Sequence, residues 1–263
     1  MIHLRLALLL GAAGLAAAGC GRRGDSVTLA GSTAFQPFAQ TLAKQFMAQH
    51  PDVRIAVQGG GSAVGIQSAL RGTAQIGMAD LVTLPDEARN LTVTVAARDG
   101  IAVIVHPGNT VSNLTMVQLR DVFNGRVTNW KELGGRDAAI TVVSREAGSG
   151  TRTSLEQIVG GIKLTPNAII QNAGGTVGET VANDINAVGY LSHGMVSSKV
   201  KSVALDGRTC SAESIATGGY PLVRPIFLLT RGAPQGATER FLAFILSDAG
   251  QTQIRKDGLL PAK

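Results

Sequence analysis

Cysteine is scarce: the 263-residue sequence has two, Cys20 and Cys210. Two cysteines supply neither a disulfide framework nor a zinc-ligand pattern. Aromatic residues make up 4% of the chain, so there is no row of rings on which bases could stack. The basic residues are scattered, with Arg22-Arg23 the densest cluster and Lys199/Lys201 a weaker pair. The net charge of +6 therefore reads as a mild positive bias of the surface, and no nucleic-acid partner is expected. Histidines number four, and none joins acids or cysteines in a metal-ligand cluster, so no metal and no cofactor are expected. At 16%, charged residues are too few for disorder, and 44% hydrophobic residues are enough to fill real cores. The 33 glycines suit an α/β chain with many tight turns, long enough for two lobes.

Long apolar runs are also missing, except at the start. Arg5 precedes the apolar stretch Leu6 to Leu15, and the small residues Ala16-Ala17-Ala18-Gly19 lead to Cys20. A charged start, a short apolar middle and small residues at the cut make a secretory signal over residues 1–19. The residues before Cys20 resemble a bacterial lipobox, with Ala17 where leucine is usual. Lipidation of Cys20 is the expected outcome, and a plain cut after Ala18 is the alternative. Residues 20–25 are short and polar and read as a tether. An extracytoplasmic protein is expected, in the periplasm or on the outer face of the cell membrane and held there by lipid.

From Val27 onward, strand and helix patterns alternate. Apolar strands are expected at Val27–Ala30, Val53–Val57, Ala74–Ala79, Ile101–Val105, Ile140–Val143, Ala168–Gln171, Ala187–Leu191, Val200–Leu205 and Leu222–Thr230. Helices are expected at Phe35–Gln49, after Ser62, after a Thr115/Gln118 capping box, after Gly148-Ser149-Gly150-Thr151, around Glu179, and at Ala237–Leu246 and Asp248–Lys256. The alternation predicts an α/β fold with mostly parallel sheets. No linker separates two sequential domains, so two crossings between lobes are expected, near 104–108 and 221–225.

Three strand-to-helix junctions share one design: Gly31-Ser32-Thr33-Ala34, Gly59-Gly60-Gly61-Ser62 and Gly148-Ser149-Gly150-Thr151. At a helix start the first N–H groups lack partners and the helix dipole adds positive charge. Glycine lets a ligand approach the backbone, and Ser or Thr adds a hydroxyl donor. Singly, each junction is an ordinary N-cap; together they could surround a tetrahedral anion. Arg145 ends the Ile140–Val143 strand region, three residues before Gly148, where its planar fork suits an oxyanion. The plainer reading of Arg145 is a surface ion pair with Glu146. Asp80 follows the Ala74–Ala79 strand, at the end where α/β sheets place ligand residues. A carboxylate beside an anion is sensible when the anion keeps a proton, as phosphate does near neutral pH and sulfate does not. The plainer reading of Asp80 is a cap for the segment at Leu84–Arg89.

These residues resemble a known family, the phosphate-binding proteins (PstS family) of bacterial ABC-type phosphate uptake. The resemblance runs from about Val27 to Pro261. It is carried by Gly31-Ser32-Thr33, Gln58-Gly59-Gly60-Gly61-Ser62, Ile76-Gly77-Met78-Ala79-Asp80 and Asp99-Gly100-Ile101-Ala102-Val103. It continues through Leu119-Arg120-Asp121-Val122-Phe123-Asn124-Gly125, Thr128-Asn129-Trp130, Arg145 with Gly148-Ser149-Gly150-Thr151, and Val188-Gly189-Tyr190. It implies a type II periplasmic binding protein fold, with two lobes joined by two crossover strands and closing on phosphate. Residues 26–105 with 224–263 would form lobe I, and 106–223 lobe II. Carried over by position, Thr33, the Ala34 N–H, Ser62 and Asp80 would bind from lobe I, and Arg145, Ser149, Gly150 and Thr151 from lobe II. Family members often carry an acid where this chain has Ala147, with Glu146 one step earlier, so Arg145 is expected to be less tightly oriented or more positive in effect.

The implied partners are inorganic phosphate and the permease of an ABC transporter, with the binding protein a monomer. Two other binding roles stay open: another oxyanion (sulfate, molybdate or tungstate), or a phosphate sensor. An enzyme is not expected. Ser62 and Ser149 both lack the second glycine of a nucleophile elbow, because Val64 and Thr151 stand there.

Overall fold

The computed structural model describes residues 25–262. The signal, the Cys20 lipidation site and nearly all of the tether expected from the sequence lie outside them. The chain runs β1 (Asp25–Gly31), α1 (Gln36–Gln49), β2 (Val53–Gln58), α2 (Ser62–Arg71), β3 (Ile76–Ala79) and β4 (Thr92–Val105). It continues through β5 (Asn113–Leu114), α3 (Met116–Phe123), β6 (Thr141–Arg145), α4 (Gly150–Val159), β7 (Ile169–Gln171), α5 (Gly174–Ala182) and β8 (Ala187–Ser192). It ends with β9 (Lys201–Ser202), β10 (Ala204–Leu205), α6 (Ala212–Ala216), β11 (Val223–Thr230), α7 (Gly236–Leu246), α8 (Asp248–Lys256) and β12 (Leu260–Pro261).

The main strand order is β2-β1-β3-β11-β4-β8-β6-β7. At one end β2, β1 and β3 are parallel. At the other end β8, β6 and β7 are parallel. Between them β11 and β4 run antiparallel to each other, with Val223 opposite Gly100 and Thr230 opposite Thr92. This is the two-lobed α/β architecture of a type II periplasmic binding protein.

Apolar packing shows where the lobes part. One set of buried residues runs from Val27 to Ala97 and from Ile226 to Leu259. The other runs from Ile101 to Leu222, joined by Leu260. Residues 101–105, assigned to lobe I from the sequence, pack in the second set, because there β4 leaves β11 and pairs with β8. On this packing we place the division at Asp99 in β4 and Arg224 in β11.

β4 begins at Thr92, well before the expected Ile101. Its first half is half exposed, with Val93 44% accessible, and Arg98-Asp99-Gly100 interrupts the apolar pattern, so the run looks broken in sequence. The expected strand at Val200–Leu205 is two short ones: β9 pairs with β4, and β10 pairs with β5. The Thr115/Gln118 capping box is present, with Thr115 Oγ1 accepting from the Gln118 N–H at 3.1 Å and Gln118 Oε1 from the Thr115 N–H at 2.8 Å.

Helix α2 lies on β1 and β3 with glycine on both sides of the contact. A methyl group on Gly65 would overlap the Met78 carbonyl oxygen and approach the Ala30 carbonyl oxygen at 2.9 Å. This backbone-to-backbone approach fixes Ser62 at the head of α2 against Asp80 at the end of β3. Alanine for glycine in an open helix would stabilise by about 1 kcal/mol. Here the sign reverses, and Gly65→Ala is expected to cost about 2 kcal/mol through overpacking. Urea unfolding measures it; a variant at least as stable as the parent would show that α2 does not pack this closely.

Candidate functional site

The three glycine-hydroxyl junctions converge. At the first, the Ser32 N–H donates to the Met78 carbonyl oxygen at 2.9 Å, and Ser32 Oγ accepts from the Phe35 N–H at 3.0 Å. This tight turn holds Thr33 and Ala34 just before α1. At the second, Gly61 has φ of 86°, a left-handed conformation natural to glycine, and α2 starts at Ser62. At the third, Ser149 caps α4, its Oγ accepting from the Arg152 N–H at 3.3 Å, and Gly150 and Thr151 form the first turn.

Asp80 is the centre of the contact between lobes. Its carboxylate accepts from Ser62 Oγ at 2.6 Å and from Thr151 Oγ1 at 3.0 Å, so one oxygen faces each lobe. Its N–H donates to Ser62 Oγ at 3.0 Å, and its carbonyl oxygen accepts from Ser154 Oγ at 3.1 Å. Asp80 is 1% accessible. It caps no helix at 84–89; its side chain points into the interlobe contact.

Arg145 is buried, and its guanidinium is fixed on two sides. Nε and Nη2 donate to Glu146 Oε2 and Oε1, both at 2.9 Å, a bidentate fork. Nη2 also donates to Thr33 Oγ1 at 2.8 Å, across the lobes. Nε donates further to the Gln171 carbonyl oxygen at 3.2 Å. The expectation of a loosely held Arg145 is thus corrected: Glu146 does the orienting in place of an acid at 147. Arg145 does pair with Glu146, but not as a surface pair, since Arg145 is 2% and Glu146 29% accessible. The Arg145 N–H donates to Tyr190 Oη at 3.2 Å, and Tyr190 Oη shares a 2.8 Å hydrogen bond with Ser144 Oγ. Burial pushes the Tyr190 phenol up to about 12, so it stays a neutral hydroxyl.

All eight candidate residues lie along this seam, in unequal roles. Thr33 meets Arg145; Ser62, Asp80, Gly150 and Thr151 form one contact group; Ala34 and Ser149 are buried at their helix starts. The Ser149 hydroxyl serves as an ordinary N-cap. The N–H groups of Ala34, Gly150 and Thr151 have no hydrogen-bond partner among the described residues. Closely spaced, unpaired N–H groups and a fixed guanidinium suit an oxyanion.

Two residues of the site escaped the sequence reading. Arg224 and Asp99 face each other across β11 and β4, both buried, with Arg224 Nη2 donating to Asp99 Oδ2 at 3.0 Å and lying 2.8 Å from Asp80 Oδ2. The signal was available: a lone arginine inside the apolar stretch Leu222–Thr230 needs a buried partner.

A two-lobed chain whose inter-lobe seam is lined by hydroxyls, free amides and one fixed arginine is built as a solute-binding protein. Sequence comparison identifies the family. The PBP superfamily domain matches residues 16–249. The phosphate-binding protein PstS of Bacillus subtilis (strain 168) is 32% identical over 280 aligned positions, covering 98% of this chain and 93% of that protein. A phosphate ABC transporter substrate-binding protein from Clostridium perfringens, solved with bound phosphate, superposes with a TM-score of 0.87 at 39% identity, over 91% of this chain and all of that one (100%). An ABC-type phosphate transport receptor from Vibrio cholerae superposes with a TM-score of 0.76 at 34% identity, over 89% of this chain and 99% of that one. The chain belongs to the PstS family of phosphate-binding proteins, within the PBP superfamily.

At Gly150 the lobes lie in close contact. A methyl group there would overlap Ser62 Oγ and sit 2.6 Å from Asp80 Oδ1. Its backbone is ordinary helix, so alanine would not strain α4 itself. Gly150→Ala is expected to hold the lobes apart and weaken anion binding about 100-fold with the melting temperature little changed. Calorimetric titration paired with thermal unfolding checks this; undiminished affinity would mean that the lobes need not meet here.

Proposed function

We propose that this protein captures inorganic phosphate between its lobes outside the cytoplasm and delivers it to the permease of an ABC transporter. The observation that carries the reading is the pairing of opposite chemistries at one seam. Arg145 and the N–H groups at the α1 and α4 starts offer donors, while Asp80 offers a buried acceptor. Phosphate near neutral pH presents both oxygens that accept and one hydroxyl that donates, so it matches both sides. Sulfate, molybdate and tungstate present only acceptors at that pH and would meet the Asp80 carboxylate unpaired. In this reading Thr33, the Ala34 N–H, Ser62 and Asp80 bind from lobe I, and Arg145, Ser149, Gly150 and Thr151 from lobe II. Hydrolysis is not part of the proposal. Ser62 Oγ is bound to Asp80 and Ser149 Oγ to the Arg152 N–H, so neither hydroxyl is paired with an imidazole base.

The membrane link in this proposal is a lipid on Cys20. Among the described residues no helix is long and apolar enough to cross a membrane. Attachment would rest on the acyl chains and on contact with the permease, with a single copy of the chain as the working unit.

Phosphate titration with sulfate as competitor tests the site. Hydrogen bonds to charged groups contribute about 1.5–3 kcal/mol each, so Arg145→Ala is expected to weaken phosphate binding by about 100-fold or more. Asp80→Asn is expected to strengthen sulfate relative to phosphate by about 10-fold. Sulfate displacing phosphate from the unsubstituted protein at equal concentration would refute the role given to Asp80. The anchor is tested separately: the protein expressed from its full gene is expected to enter the detergent phase on Triton X-114 separation, and Cys20→Ser to leave it. Equal partitioning of the two would remove Cys20 from the proposal.

A further inference from the structure

Arg224 stands where the binding seam meets both crossover strands. It is 1% accessible and its side chain lies wholly inside the protein. A single nitrogen, Nη2, faces two carboxylates, Asp80 at 2.8 Å and Asp99 at 3.0 Å. Nε and Nη1 have no hydrogen-bond partner among the described residues. Asp99 is held on its other side by Ser192 Oγ at 2.9 Å. So the ends of β3 and β8, the middle of β4 and the start of β11 meet at one buried group of charges.

Such a group is a poor device for stability. Desolvating buried charges costs about as much as their attraction returns, and apolar residues of similar size often do as well. An arginine with two unused donors fares worse still. Its position therefore calls for a different account, and the neighbour that gives one is Asp80. The side-chain hydrogen-bond donors to the Asp80 carboxylate are the neutral hydroxyls of Ser62 and Thr151, and Arg224 is the cation beside it. With those neutral partners alone, out of water and beside a bound anion, a carboxylate charge would go uncompensated at a large cost. Protonated, it would donate a hydrogen bond rather than accept one, and sulfate would be as welcome as phosphate.

We propose that Arg224 is a specificity-determining positioning residue: it is the counter-ion that keeps Asp80 a charged acceptor, so that the site takes an oxyanion carrying a proton and turns away one that does not. This rests on the role given to Asp80 above. Asp99 competes for the same nitrogen. Burial raises Asp99 above the usual carboxylate range, opposed by Arg224 and by the Ser192 hydrogen bond. That upward shift weakens the hold of Asp99 on Arg224 and leaves more of its charge to Asp80. The other titratable groups nearby are quiet: burial pushes the Cys210 thiol up to about 12 and raises the Tyr220 phenol, so both are neutral at physiological pH. Arg145, bound to Glu146 and Thr33, faces the seam from β6.

The test is calorimetric titration with phosphate and with sulfate at about pH 6 and about pH 8 on the whole protein, Arg224→Lys, and the double variant Arg224→Met/Asp99→Asn. The double variant removes one positive and one negative group, so no surplus buried charge is added. The expected result is a fall of about 10-fold or more in the preference for phosphate over sulfate in the double variant, larger at the lower pH, with Arg224→Lys within about 3-fold of the parent. A brace of purely structural use would alter stability and leave the preference alone. A folded double variant with unchanged preference at both pH values overturns the proposal. Titrations of the unsubstituted protein in two buffers of different ionisation heat need no variant at all. At about pH 8 no net proton release on phosphate binding is expected, and release of about one proton per phosphate would show Asp80 neutral beforehand and overturn the counter-ion role. Asp80→Asn, measured alongside, separates the two claims. If it too leaves the preference unchanged, the reading of Asp80 itself fails; if it alone lowers the preference, only the role of Arg224 fails.

Discussion

The structure depends on one buried carboxylate meeting both lobes at once. Asp80 takes Ser62 Oγ from its own lobe and Thr151 Oγ1 from the other, while its carbonyl oxygen takes Ser154 Oγ. A buried carboxylate must have its oxygens satisfied or lose several kcal/mol. Here the partners lie on separate lobes, so satisfying Asp80 also closes the seam. The glycines nearby follow from this. Gly65 lets α2 lie on β3 so that Ser62 can reach Asp80, and Gly150 lets α4 come in from the far side.

Another cross-lobe bond, from Arg145 to Thr33, works differently. A long cationic side chain is costly to order, and a single hydroxyl would not hold it. Glu146 supplies the rest through a bidentate pair, and two carbonyl oxygens, of Gln171 and Asn172, take further donors. Tyr190 and Ser144 then fix the strand that carries it. The guanidinium is thereby set in place before any ligand arrives, which lowers the ordering cost of binding.

Much of this was legible in the sequence, and the exceptions have physical reasons. Helix positions came from apolar spacing and caps; Thr115 and Gln118 make the box their types and spacing imply. The hydroxyl-glycine junctions were visible because their chemistry is local to three or four residues. β4 was half hidden because its first four residues are largely exposed and Arg98, Asp99 and Gly100 in its middle break the apolar pattern that marks a strand. The role of Glu146 was hidden because adjacent residues on an extended strand usually point apart, and only the turn after β6 lets Glu146 fold back on Arg145. Arg224 was hidden for another reason. Its partners, Asp80 and Asp99, lie more than a hundred residues away in sequence and meet it only through the register of β11 against β3 and β4.

That register also bears on how closing and binding are linked. In the closed form Arg145 Nη2 and Thr151 Oγ1 are already in use, on Thr33 and Asp80. An anion entering between the lobes competes for those same donors, so part of what it gains is exchange rather than addition. The net gain then comes from groups with no other partner, the Ala34, Gly150 and Thr151 amides among them. A ligand shifts the balance between open and closed forms only by its difference in affinity for the two. Because α1 and α4 belong to opposite lobes, a small anion can reach both sets of amides only when the lobes are together. The amides thus supply that difference, and the charged side chains decide which anion receives it.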